Sequence, residues 1–141
     1  MKNNTQKVHR ETVKTIFDQA WNQADFYGID NLIAEDAIFH IRELTLPTNA
    51  EDLERIVNGW HTAFLDFRFT IDDMVAEGNL VAVRLRMSGT HQDQWQDIPA
   101  SGKQISVSVM MFLRFENEQV VEIWEVYDEY GMRKQLGEVD L

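Results

Sequence analysis

From Phe67 to the C-terminus the chain abandons helical periodicity for extended segments, and this change most limits what it can fold into. Phe67–Ala76, Leu80–Thr90, Ile105–Phe115 and Val120–Asp128 are rich in β-branched and aromatic residues and read as strands of about ten residues each. Glu77-Gly78-Asn79 and Glu116-Asn117-Glu118 are connections so short that the strands they join must form antiparallel hairpins, while Gln92–Gly102 is a longer polar loop. Before Phe67 the pattern is helical. Val13, Ile16, Phe17, Ala20, Trp21 and Ala24 recur at three- and four-residue steps, the stripe of an amphipathic helix ending near Gly28. Asp30 is placed to cap a short second helix through Ile33, Ala37–Ile41 reads as a brief strand, and Leu44–Asn49 with Pro47 reads as a loop. Thr48 and Glu51 match a capping box that opens another helix, buried through Leu53, Ile56, Val57, Trp60 and Phe64.

Helices followed by a long meander specify an α+β domain, expected to be single over residues 1–141. Twisted strands of this length curl around the helices they cover. The expected architecture is a curved antiparallel sheet with the helices packed on one face, and a concavity between them suited to a small ligand.

The formal charge of -11 would repel phosphate backbones and anionic lipid surfaces, so neither nucleic acid nor membrane is an expected partner. There is no cysteine, which excludes disulfides, thiolate metal sites and cysteine nucleophiles. No apolar run approaches the roughly 18 residues of a membrane span, and the polar N-terminus points to a cytoplasmic protein. The chain has no Gly-x-Ser-x-Gly elbow, Gly-x-Gly-x-x-Gly turn or His-Glu-x-x-His pair. His9, His40, His61 and His91 show no ligand spacing, so no metal site is expected.

Acid–base chemistry in a cavity remains. Along the last strand Glu122, Trp124, Val126 and Asp128 share one face, and Val121, Ile123, Glu125 and Tyr127 the other. Asp128, turned inward beside Trp124 and Val126, would lose solvation of its charged form and become a proton carrier near neutral pH. Turned outward, it would end the strand in water or cap the tail helix near Tyr130 and Gly131. His91 and His40, at strand ends, could shuttle a proton or orient a carboxylate, or simply be hydrogen-bonded there. Trp21, Trp60, Phe64, Met110, Phe112 and Trp124 could line an aromatic pocket or fill the core. Arg84 and Arg114 would hold an enolate oxygen if directed inward and pair with surface acids if directed outward.

Several stretches together resemble one family. They are Ala63–Thr70, Glu77-Gly78-Asn79, Gly89-Thr90-His91-Gln92, Ile98–Lys103, Glu122-Ile123-Trp124 with Asp128, and Gly131–Gly137. They span most of the chain after Ala20 and are similar to the SnoaL-like polyketide (ester) cyclases of the nuclear-transport-factor-2-like, ketosteroid-isomerase-like superfamily. The resemblance implies a cone-like curved antiparallel (mixed) sheet wrapped around N-terminal helices, enclosing a deep apolar pocket for a small hydrophobic molecule, and assembly through the open sheet face into homodimers or homotetramers. It also implies a cofactor-independent intramolecular aldol condensation of a polyketide-like carbonyl compound, with Asp128 in the acid/base position and no metal. Val126 and Arg114 stand where the cyclases often carry polar pocket residues, and they motivate the alternative of a binding protein with the same pocket and no turnover.

Overall fold

Helix α1 (Lys2–Thr15) passes directly into a π-helical segment, Ile16–Trp21, and together they bury Val13, Ile16, Phe17, Ala20 and Trp21. A computed structural model describes residues 2–138 of the chain. The helical segment ends earlier than the apolar stripe predicts: Ala24 adopts φ +53° and Asn22 turns its amide onto the backbone of Phe69, donating to Phe69 O (2.9 Å) and accepting from Phe69 N (2.7 Å). Asp30 caps no helix through Ile33. Gly28, in the left-handed region, opens a single 3-10 turn, Ile29–Asn31, after which Ile33 is already in strand β1 (Ile33–Ile41).

The stretch read as a loop is partly strand. β2 (Leu44–Pro47) pairs antiparallel with β1 at the sheet edge, where a proline lacking its N–H is tolerated. The hairpin claims Thr48, whose N–H donates to Ala37 O (2.7 Å) and whose hydroxyl donates to Leu46 O (3.1 Å). The capping box of α2 (Ala50–Ala63) therefore starts one residue later than the sequence suggests. Asn49 Oδ1 accepts from Asp52 N (2.9 Å), and Asp52 Oδ2 accepts from Asn49 N (3.1 Å). Asn49→Ala is expected to cost about 1 kcal/mol in urea unfolding; an unchanged midpoint would show that the α2 terminus does not depend on this cap.

Four long strands follow: β3 (Phe64–Glu77), β4 (Leu80–His91), β5 (Gln104–Glu116) and β6 (Gln119–Tyr127). β3 begins three residues before the expected Phe67, because a bulge containing Asp66 (φ +61°) lets both Phe64 and Phe67 face inward despite their odd spacing. The six strands form one curved, mixed, open sheet in the order β2-β1-β6-β5-β4-β3. All its pairings are antiparallel except β1 with β6, which run parallel with Phe39 beside Ile123 and Ile41 beside Glu125. Three helices and this sheet make the α+β cone. One sheet face carries Val83, Leu85, Val107, Val109, Met111 and Leu113 into the core with α1 and α2. The opposite face leaves Met110, Phe112 and Val126 exposed. A short helix, α3 (Glu129–Gln135), closes the described chain, and Gln135 hydrogen-bonds the backbone of Ser106 beyond the end of β6. No helix among the described residues is long and apolar enough to cross a membrane.

Candidate active site

The alternation along β6 sends its acids to opposite sides of the sheet. Ile123 and Glu125 face the helices, while Trp124 and Val126 face outward. Glu125 lies between Met111 on β5 and Ile41 on β1 and is 7% exposed. No group among the described residues hydrogen-bonds its carboxylate. Burial therefore disfavours the charged form and pushes the carboxyl up to about 8, a rise that the positive charge of Arg42 only partly opposes. A carboxyl with this value exchanges protons readily near neutrality.

Aromatic and charged side chains gather beside it. Tyr127, next on the same face, donates its hydroxyl to Glu129 Oε1 (3.0 Å), and burial raises its own ionisation above the ordinary range. Glu129 Oε1 also accepts from Arg42 Nη1 (2.7 Å), and Arg133 Nε lies 3.8 Å from Oε2. Arg133 spreads over the Trp95 ring, 5.3 Å from its centroid, and donates to Gln96 Oε1 (2.8 Å). Trp60 joins these parts, its ring 6.0 Å from Trp95, 5.7 Å from Phe64 and 6.4 Å from Tyr127. One end of the cone thus holds a buried acid beside an aromatic wall, closed by an ion-paired cluster that links the β1–β2 turn, β6, α3 and the Gln92–Gly102 loop.

The outward face carries a groove of about 770 Å³ lined by Met110, Phe112, Trp124 and Val126, with Arg84 and Asp128 among its polar members. Asp128 is exposed and caps α3, accepting from Gly131 N (2.8 Å); a Cβ on Gly131 would overlap its carboxylate. Arg84 is held by Asp73 (Nε to Oδ2, 2.9 Å), and Arg114 by Glu122 (Nη2 to Oε1, 2.8 Å). His40 stacks on Trp124 (5.3 Å) and places Nε2 2.6 Å from Glu122 Oε2. Arg114 first and His40 second hold the Glu122 carboxyl below its usual range.

Set beside known proteins, nearly the whole of this chain is accounted for: the model of the SnoaL-like polyketide cyclases matches residues 11–136. The chain belongs to the SnoaL-like polyketide cyclase family. Its fold is shared with IdmH of Streptomyces antibioticus, a candidate polyketide cyclase 27% identical, with a TM-score of 0.78 over 92% of this chain and 98% of that one. AclR of Streptomyces galilaeus, a candidate hydroxylase, is 24% identical with a TM-score of 0.83 over 96% of this chain and 89% of its own. A SnoaL-like polyketide cyclase of Agrobacterium tumefaciens is 19% identical, with a TM-score of 0.77 over 92% and 98% of the two chains. No curated protein matches.

In this SnoaL-like chain the residues singled out from sequence fall on two sides of the sheet. Trp21, Trp60, Phe64 and His91 lie on the helix side; Arg84, Met110, Phe112, Arg114, Trp124, Asp128 and His40 lie on the outer side. The arrangement brings together Trp60, Phe64 and His91, whose ring stacks 5.2 Å from Phe64. His91 is fully buried; its Nδ1 accepts the Ser101 N–H (3.2 Å) and lies 2.8 Å from Ser101 Oγ, which ties down the end of the Gln92–Gly102 loop, while its buried Nε2 has no hydrogen-bond partner among the described residues. His61 reaches Trp21 O (2.6 Å), and His9 stacks on Phe115 (4.1 Å), where burial lowers its basicity. No group of three His, Asp or Glu among the described residues is arranged to hold a metal. Sequence reasoning passed over Glu125, although its face was the more apolar one: a lone acid between Ile123 and Tyr127 is the signal for a buried carboxylate.

Proposed function

We propose that this SnoaL-like protein is a cofactor-independent cyclase or isomerase that acts on a hydrophobic carbonyl compound, with Glu125 as its acid/base group. The observation that carries the reading is the buried Glu125 carboxyl, unpaired beside an aromatic wall and poised near neutrality. Asp128 is less suited to the role because its carboxylate is exposed and engaged as a helix cap. Family membership supports a cyclase-like role, and IdmH, a candidate polyketide cyclase, is similar over nearly its whole length.

An intramolecular aldol addition needs no net proton. Glu125, ionised, takes the proton from the carbon alpha to one carbonyl; the enolate carbon bonds to a second carbonyl carbon; and the new alkoxide recovers the proton from the Glu125 carboxyl. One group therefore serves as base and then as acid. The test is to incubate the protein in D2O with a panel of apolar β-dicarbonyl compounds and read deuterium at the alpha carbon by NMR. Incorporation above the uncatalysed rate supports the reading. Tight binding of such compounds with no exchange would instead favour the non-catalytic binding protein.

We also propose that the outer sheet face receives a second copy of this chain. Met110 pairs across the strands with Val126, and Phe112 with Trp124, so four apolar side chains form one outward patch. Met110, Phe112 and Val126 are 59%, 50% and 74% exposed, and adjoining exposed apolar side chains of this kind mark interaction surfaces. Light scattering at micromolar concentration is expected to give a dimer, and Phe112→Glu with Val126→Glu a folded monomer. A monomeric wild-type protein overturns the assignment.

A further inference from the structure

We propose that Glu129 is a positioning residue for the Glu125 site: by binding Arg42 it keeps that guanidinium from pairing with Glu125, and so leaves the Glu125 carboxyl unpaired. This rests on the acid/base reading of Glu125 given above. The geometry begins with the parallel pairing of β1 and β6, in which Ile41 stands beside Glu125. Arg42 is the next residue, the first of the two in the β1–β2 turn, with φ +55°. Its charge is close enough to Glu125 to act on it, yet no hydrogen bond or ion pair joins the two. Arg42 instead donates from Nη1 to Glu129 Oε1 at 2.7 Å.

Glu129 is well held for this task. It follows Asp128 in the first turn of α3, so the Asp128 cap fixes the start of the helix that presents Glu129. The Tyr127 hydroxyl donates to the same oxygen that receives Arg42, and Arg133 stands against the other oxygen. The charged or titratable groups that interact electrostatically with Glu125 among the described residues are Arg42 from the β1–β2 turn and Tyr127 from β6; Glu129 from α3 binds both of these, and Arg133 stands against Glu129. Met111, its neighbour on β5, carries no charge. Arg42 is the only cation of this set that acts directly on Glu125, and desolvation is the larger influence. Without the competing carboxylate at Glu129, the guanidinium would gain most by pairing with the one unpaired buried acid in reach. An ion-paired Glu125 would be a weaker base, less able to take the proton from the alpha carbon.

The test is a titration of glutamate side-chain carboxyls by carbon-13 NMR, with the Glu125 signal identified by its loss in Glu125→Gln. Glu129→Gln, which keeps the shape of the side chain and an acceptor for Tyr127, is expected to move the Glu125 midpoint down by about 1–3 units, the span produced by a close opposite charge. Arg42→Met alone is expected to move it up. In the Arg42→Met background, Glu129→Gln should no longer move it, because the influence of Glu129 runs through Arg42. The proposal is overturned if neither Glu129→Gln nor Glu129→Ala lowers the midpoint, or if the shift persists undiminished without Arg42. Glu129→Ala supplies the same comparison where the glutamine amide retains Arg42. A wild-type Glu125 that titrates in the ordinary carboxylate range would instead remove the basis of the acid/base reading itself, so the two failures are distinguishable.

Discussion

Between about pH 4.5 and about pH 8, Glu125 alone is expected to lower the stability of the wild-type protein by an amount on the order of 5 kcal/mol, and Glu125→Gln is expected to lack this fall. The sign follows from proton binding. In the unfolded chain the carboxyl titrates near 4.5, whereas in the folded protein it titrates near 8, so across that window the folded state binds more protons and rising pH favours unfolding. The contribution is fully present below the unfolded value and gone once pH passes the folded one. Two other groups tilt the wild-type profile the opposite way. His9, whose basicity burial lowers, and Glu122, held low by Arg114 and His40, both contribute stability that is lost as pH falls. The difference between wild type and Glu125→Gln, measured by urea unfolding at several pH values, therefore isolates Glu125. Parallel profiles for the two proteins would show that Glu125 does not titrate at a raised value.

Glu125→Gln is also expected to reduce alpha-carbon exchange, and cyclisation of any substrate identified through it, by about 100- to 10,000-fold, the usual contribution of a positioned acid/base group. The glutamine amide fills the same volume between Met111 and Ile41 but carries no exchangeable carboxyl proton. Asp128→Asn should stay within about tenfold of wild type, because asparagine caps a helix about as well as aspartate and Gly131 N keeps its acceptor. The two variants separate the acid that the sequence motif favours from the acid that the fold buries. Loss of exchange in Asp128→Asn as deep as that in Glu125→Gln, with normal unfolding, would return the role to Asp128.

What could be read from the chain and what could not divide by the range of the interactions involved. The hairpin connections at Gly78 and Asn117 were legible because turn chemistry is local, and so was the change from helical to alternating periodicity. The capping box was legible only to within one residue, since Thr48 is drawn into the β1–β2 hairpin by Ala37 and Leu46. The start of β3 was misplaced because a bulge at Asp66 breaks the period that marks a strand. The parallel pairing of β1 with β6 had no local signature, as its partners lie some 80 residues apart. The site suffered in the same way. Aromatic and charged residues suited to a pocket were recognisable by type, but strand alternation divided them between two faces, and only the packed sheet shows Glu125 inside and Asp128 out.

The position of β6 has a consequence for how the protein is made. It is the last strand to leave the ribosome, yet it sits between β1 and β5. Until it is synthesised, the chain can offer only the two-stranded ribbon β2-β1 and the three-stranded sheet β5-β4-β3, each with an unsatisfied edge awaiting the same strand. The ribbon is too small to persist alone in water. Nascent chains that stop short of Gln119 therefore leave the facing edges of β1 and β5 open and the cone unclosed, which makes the interval before β6 emerges the one in which this fold most needs protection from pairing with its neighbours.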